Sequence, residues 1–194
     1  MEVRILAIGD VVAQSGLELV SRKLRSIKKL TGADFIVVNG ENAAGVGITA
    51  RQAEEIMDAG ADAVTLGNHA FQKEDIFNLL DDAPWLLRPH NYAPQAPGFG
   101  WRVLEAPFGP VLLMNLIGRC DMDFGPDNPF AAADRILREG ESAVRDYKRF
   151  LSAGCSVPPI EALRYAGVDM EMPNAVKNAM QVFTQTVEDL KKLI

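Results

Sequence analysis

No histidine follows His90 in this 194-residue chain, and only one other, His69, precedes it. The sequence also lacks a C-x-x-C pair. Its two cysteines, Cys120 and Cys155, stand far apart and read as thiols, not as a disulfide or a zinc site. No apolar run reaches about 18 residues, so no membrane-spanning helix is expected. Glu2, Arg4 and Asp10 interrupt or border the apolar start, so a signal-peptide layout is absent and the cytoplasm is the expected location. A positive excess is missing too. Of 20 basic and 26 acidic residues, 12 and 18 lie in residues 1–135, and the remainder carries eight of each. The negative excess therefore sits in the first part and speaks against a nucleic-acid surface there. It leaves room for a small phosphate substrate, because bound metal ions reverse the local field.

What is present reads as an ordinary folded chain, with 48% hydrophobic and 24% charged residues. Val3 to Ile8 is a short apolar run ending in Gly9-Asp10. Such a run suits a strand buried on both faces. Ser15 to Lys29 reads as a helix, with Leu17, Val20, Leu24 and Ile27 on one face. Phe35 to Val38 is a second strand, running into Asn39-Gly40-Glu41-Asn42. Thr49 is placed to cap a helix that continues to about Ala59 and closes at Gly60. Ala63 to Leu66 is a third strand, ending in Gly67-Asn68-His69. Strands separated by helices of this length predict βαβ units and a largely parallel sheet.

Residues 88–100, rich in proline and glycine, read as a loop. Two further strands are expected over Trp101–Ala106 and Pro110–Leu116, and a helix from about Ala131. Beyond about residue 137 the pattern turns wholly helical, with stretches over Ser142–Ala153, from Pro158-Pro159 to near Gly167, and from Pro173 or Asn174 onward.

Three successive strands thus end in a glycine followed by polar groups: Asp10, Glu41 with Asn42, and Asn68 with His69. Ligands of open α/β sheets gather at the carboxyl ends of the strands, so the fold should bring these residues together. Two carboxylates and amide oxygens are hard donors suited to manganese, iron, magnesium or zinc. A carboxylate on the middle strand could bridge two metals, and a neighbouring histidine could protonate a leaving group. Each residue alone has a plainer use: Asp10 as a helix cap or turn, Asn68 in an Asx turn, His69 as a structural ring. Gly45-Val46-Gly47 hints at a phosphate loop, but it lacks both the full G-x-G-x-x-G pattern and a P-loop lysine.

The local sequences Ile8-Gly9-Asp10-Val11-Val12, Asn39-Gly40-Glu41-Asn42-Ala43-Ala44-Gly45, Thr65-Leu66-Gly67-Asn68-His69 and Leu87-Arg88-Pro89-His90-Asn91-Tyr92 resemble the YmdB-like metallophosphoesterases of the calcineurin-like superfamily. Asn115-Leu116-Ile117-Gly118-Arg119 and Asn128-Pro129-Phe130 continue the match, which covers residues 1–137. The resemblance implies an α/β fold: a partial calcineurin-like phosphoesterase sheet with flanking helices, followed by a small α-helical tail. It implies Asp10, Glu41, Asn42 and Asn68 as metal ligands with Glu41 bridging, His69 as the catalytic histidine, and iron or manganese as the divalent metal. The implied activity is hydrolysis of phosphodiesters, cyclic nucleotides among them. Family members add strands and several histidine ligands from their second half. Those histidines are absent here, so impaired activity is expected, with room for as few as one bound metal.

Residues 138–194 resemble a different protein. Tyr147-Lys148-Arg149-Phe150-Leu151-Ser152-Ala153-Gly154, Pro159-Ile160-Glu161-Ala162-Leu163 and Ala166-Gly167-Val168-Asp169-Met170 are similar to the carboxy-terminal end of oligoendopeptidase F, with Cys155 where a glycine is expected. That peptidase's H-E-x-x-H motif is absent. The chain therefore reads as a chimera with a junction near residues 135–142. An alternative function is a non-catalytic chimeric or truncated protein serving as an interaction module. The missing half-core predicts exposed apolar sheet, covered by the tail or by a second copy in a homo-oligomer.

Overall fold

Four strands, β1 (Ile5–Ile8), β2 (Phe35–Asn39), β3 (Ala63–Thr65) and β4 (Leu86–Leu87), lie side by side in that order, every neighbour parallel. This computed structural model describes residues 2–120, 122 and 125–152. The chain divides into two compact units, residues 1–137 and 138–194. Parallel neighbours need a crossover. These are supplied by α1 (Ala13–Thr31), α2 (Ala50–Asp58) and α3 (Ile76–Asp82). Strand order follows chain order, so right-handed crossovers put all three helices on one face of the sheet.

That face holds the main core. Leu17, Val20 and Leu24 of α1, Ala53 and Ile56 of α2, and Ile76 and Leu80 of α3 cluster with Ile36, Val38, Val64 and Leu86 of the strands. Polar contacts tie α1 to α2: Ser21 Oγ donates to Glu55 Oε1 at 2.8 Å, and Arg25 donates to the Asp58 carbonyl at 2.7 Å. Thr49 caps α2 as its position suggested. Its hydroxyl accepts from Gln52 N, and the Gln52 side chain accepts from Thr49 N, a reciprocal capping box.

Three sequence expectations need correction. The first strand is not buried on both faces. Ile5 is 62% exposed, Ala7 is exposed, and only Leu6 and Ile8 pack against the core. Among the described residues β1 is an edge strand whose Ile5 and Ala7 face is left uncovered, and an apolar run looks the same whether one face or both are covered. Separate helices from Ala131 and over Ser142–Ala153 are in fact one, α4 (Pro129–Ser152), which runs through the expected junction at residues 135–142. Gly140 does not break it, since a single glycine costs a helix only about 1 kcal/mol. Finally, α3 and the two-residue β4 were not anticipated from the sequence. The later helical stretches expected beyond residue 152 fall outside the described residues.

β5 (Trp101–Ala106) and β6 (Gly109–Met114) form the expected hairpin, antiparallel in register from Trp101 opposite Met114 to Ala106 opposite Gly109. Between β4 and β5 the chain is a loop, as its composition suggested. Buried Arg88 pins it by donating to the carbonyls of Pro89, His90, Ala96 and Pro97. No helix among the described residues is long and apolar enough to cross a membrane.

Candidate metal and catalytic site

The carboxyl ends of β1, β2 and β3 bring the candidate residues into one hydrogen-bonded row. Asn42 Nδ2 donates to Asp10 Oδ1 at 2.7 Å, and Asn42 Oδ1 lies 2.9 Å from His69 Nδ1. Asn68 Nδ2 lies 3.0 Å from His69 Nε2. An amide nitrogen can only donate, so Nε2 accepts from Asn68 and the ring proton sits on Nδ1, donated to Asn42. The row is a single directed chain: Asn68 to His69 to Asn42 to Asp10.

Backbone bonds lock the turns that carry it. Val11 N donates to Asn39 O at 2.9 Å, and Ala13 N to Asn42 O at 2.8 Å, so the β1 and β2 ends are stitched beyond the strands. Asp10 and Ala13 hold positive φ, 45° and 54°. Left-handed backbone at a non-glycine residue costs on the order of 1–3 kcal/mol and persists where the surroundings hold it, commonly at functional sites.

Glu41 is placed differently. Its carboxylate presses against the backbone of Gly67, where a Cβ would overlap Oε1, Oε2 and Cδ. The glycine is there for clearance as much as for the turn. Oε2 is buried and has no hydrogen-bond partner. Burial raises the Glu41 pKa above the ordinary carboxylate value. His69 acts against that shift, and the Asp10 carboxylate adds to it. A buried, unpaired carboxylate oxygen within the field of a second carboxylate lacks a positive charge.

Three supporting residues were not singled out from the sequence. Gly67 was read as a turn glycine. Tyr92 Oη donates to the Gly67 carbonyl at 3.0 Å, and burial pushes its phenol up to about 12, so it stays a donor. Asn115 Nδ2 bridges the carbonyls of Leu66 at 2.6 Å and Leu87 at 2.8 Å, joining the ends of β3 and β4. Tyr92 and Asn115 do stand in the quoted motifs, but a motif does not tell which backbone group a side chain will reach. His90, at the end of β4, is engaged with Arg135, 3.4 Å from its Nε2.

The donor set fits a hard divalent cation. Glu41 Oε2 is unspent, Asp10 supplies a second carboxylate, and the Asn42 and Asn68 oxygens are neutral hard donors. Asn42 Oδ1 keeps a second lone pair after accepting from His69. Among the described residues, no group of three or more His, Cys, Asp or Glu side chains is arranged to hold a metal, so the acidic share is limited to two.

A family profile described as YmdB-like protein matches residues 6–148. The chain belongs to the YmdB-like family. It is 40% identical over 139 residues to the 2′,3′-cyclic-nucleotide 2′-phosphodiesterase of Bacillus subtilis (strain 168), which covers 70% of this chain and 52% of that relative. The crystal structure of a phosphatase from Mycoplasma pneumoniae superimposes with a TM-score of 0.63 at 26% identity, over 70% of this chain and 51% of the other. The fold is therefore the α/β fold of calcineurin-like phosphoesterases. A separate match, 39% identical over 64 residues, is to oligopeptidase PepF of Bacillus subtilis (strain 168), covering 33% of this chain and 10% of the peptidase. The chain spans about half the length of the YmdB-like relatives it matches.

Proposed function

We propose that residues 1–137 of this YmdB-like chain are a partial metal-dependent phosphodiesterase domain, and that residues 138–194 are a separate segment joined to it as a chimera. The observation that carries the first part is the buried, unpartnered Oε2 of Glu41, held against Gly67 at the meeting point of three strand ends. Asp10 and Glu41 would hold iron or manganese through carboxylate oxygens, with Asn42 and Asn68 adding amide oxygens. Such a cation lowers the pKa of a bound water and offsets charge on a phosphoryl oxygen.

The chain's own residues supply the rest. Water adds to phosphorus, the ester P–O bond breaks, and the departing oxygen needs a proton. In the resting row Nε2 carries no proton and accepts from Asn68, so His69 would give one there only after taking the proton that the attacking water sheds, while Nδ1 stays anchored on Asn42. Asn42 in turn is anchored on Asp10, so the ring's direction is set by the same residue that would hold metal. The substrate is a small phosphodiester. Activity should fall below that of a full-length relative, because the chain has no histidine after His90 to complete the ligand set.

The test pairs metal analysis of the purified 194-residue protein with a phosphodiesterase assay in manganese or iron. At least one metal per chain is expected, lost in Glu41→Gln, and turnover should vanish in Asp10→Asn. Unchanged turnover in Asp10→Asn overturns the proposal. The match to oligopeptidase PepF favours a second reading, a non-catalytic chimeric protein acting as an interaction module. It predicts no bound metal. In either case the exposed apolar residues of β1, Ile5 foremost, favour a homo-oligomer covering that edge, and a monodisperse monomer in light scattering counts against it.

A further inference from the structure

We infer that the pocket beside Asn68 receives the nucleobase of a nucleotide phosphodiester, an inference that rests on the phosphodiesterase proposal. The cavity measures about 450 Å³ and opens next to the row of site residues, with Asn68 belonging to both. That volume falls within the range of about 300–1,000 Å³ usual for small-molecule sites. Its walls are apolar and partly aromatic: Phe71 and Tyr92, with Ala93 and Ala96 from the loop after β4.

Three features make it a platform for a flat ring. Phe71 is backed by Phe77, the rings stacked with centroids 5.7 Å apart and planes 12° from parallel, so its orientation is fixed from behind. Tyr92 leans on Phe71 at 5.7 Å and 46°, with its hydroxyl committed to Gly67 O. Arg88 fixes the loop carrying Ala93 and Ala96 through four backbone carbonyls, Ala96 O among them at 3.0 Å. Of the two amides at the rim, Asn68 is shared with the site row, and Gln72 offers donors and an acceptor as a base edge requires. Among the described residues, no charged side chain lines the pocket. A phosphoryl group placed beside His69 and the cation that Asp10 and Glu41 would hold would therefore send its organic arm over Asn68 into this apolar, partly aromatic recess.

The test is calorimetric titration of the full chain, with manganese present, by adenosine 3′-monophosphate and by ribose 5-phosphate, which carries a phosphate but no base. The nucleotide should bind at least about fivefold more tightly, since stacking on an aromatic side chain is worth about 1 kcal/mol or more per base. Ala93→Trp fills the pocket from an exposed position and should bring the nucleotide down to the level of ribose 5-phosphate. A thermal melt of that variant checks that it folds. Equal binding of the two ligands by the wild-type chain overturns the nucleobase pocket and leaves the phosphodiesterase proposal standing. An unchanged preference in Ala93→Trp also overturns it, by placing the base elsewhere. Binding of neither ligand overturns both.

Discussion

The middle of the sheet and its β1 edge are built from similar residues and live in different surroundings. Ile36 of β2 is fully buried, while Ile5, on the neighbouring strand, is 62% exposed. The candidate site straddles this divide. Glu41, Asn68 and His69 leave the buried middle strands, whereas Asp10 leaves the edge. The middle fixes its groups through packing, Gly67 clearance and the Tyr92 and Asn115 bonds. The edge fixes Asp10 through the β1–β2 ladder, the bonds from Val11 N and Ala13 N, and one amide. Preorganisation at this site is therefore unequal, and Asp10 is the group that depends most on its partners.

The sharpest way to break that comparison is a pair of truncations. Ile36→Ala should cost about 2–5 kcal/mol of stability, and Ile5→Ala less than about 0.5 kcal/mol, both read by urea denaturation. Equal costs would erase the distinction between middle and edge. Gly67→Ala comes next. The added methyl must displace the Glu41 carboxylate, so a loss of about 1–3 kcal/mol is expected, together with loss of bound metal in elemental analysis.

Asn115→Ala removes two bonds to the ends of β3 and β4 and should cost about 1–3 kcal/mol. It should weaken metal retention less than Gly67→Ala, because Glu41 keeps its seat. Amide exchange at Leu66 and Leu87 would register the loosening.

The smallest expected effect is a pH dependence. Burial, then Arg135 and Arg88, lower the His90 pKa to about 4. An unfolded histidine titrates near pH 6.5. Below that, the unfolded chain takes up a proton that folded His90 refuses, so stability falls as pH drops from 6.5 towards 4. The ring is partly exposed and screened, so the loss should be a fraction of the roughly 3 kcal/mol of the full shift. His90→Gln should flatten this part of a melting-temperature profile, and an unaltered profile would remove His90 as its source.

Much of the fold was legible because its signals are local. Thr49 as a helix cap, the apolar spacing of Leu17, Val20 and Leu24, and the glycine after each of three strands all act through near neighbours. The meeting of Asp10, Asn42, Asn68 and His69 was legible for a different reason, since parallel strands point their carboxyl ends the same way. What escaped depends on distant parts of the chain. The exposure of Ile5 follows from what does or does not lie beside β1. The two-residue β4 exists because β3 pairs with it. The reach of Asn115 to Leu66 spans 49 residues, and no periodicity encodes it. The continuity of α4 through Gly140 shows the converse, a local breaker too weak to end a long helix.

The contact between Glu41 and Gly67 also constrains how this protein can change. Position 67 gains a side chain only by displacing the carboxylate at position 41, and Gly67→Ala leaves a carboxylate in its seat only after Glu41 is shortened, as in Glu41→Asp. The two sites are epistatic, and the order of substitutions matters. A library that varies residue 67 in the present background should return glycine, whereas one started from Glu41→Asp should admit alanine and so open a sequence neighbourhood that single steps cannot enter.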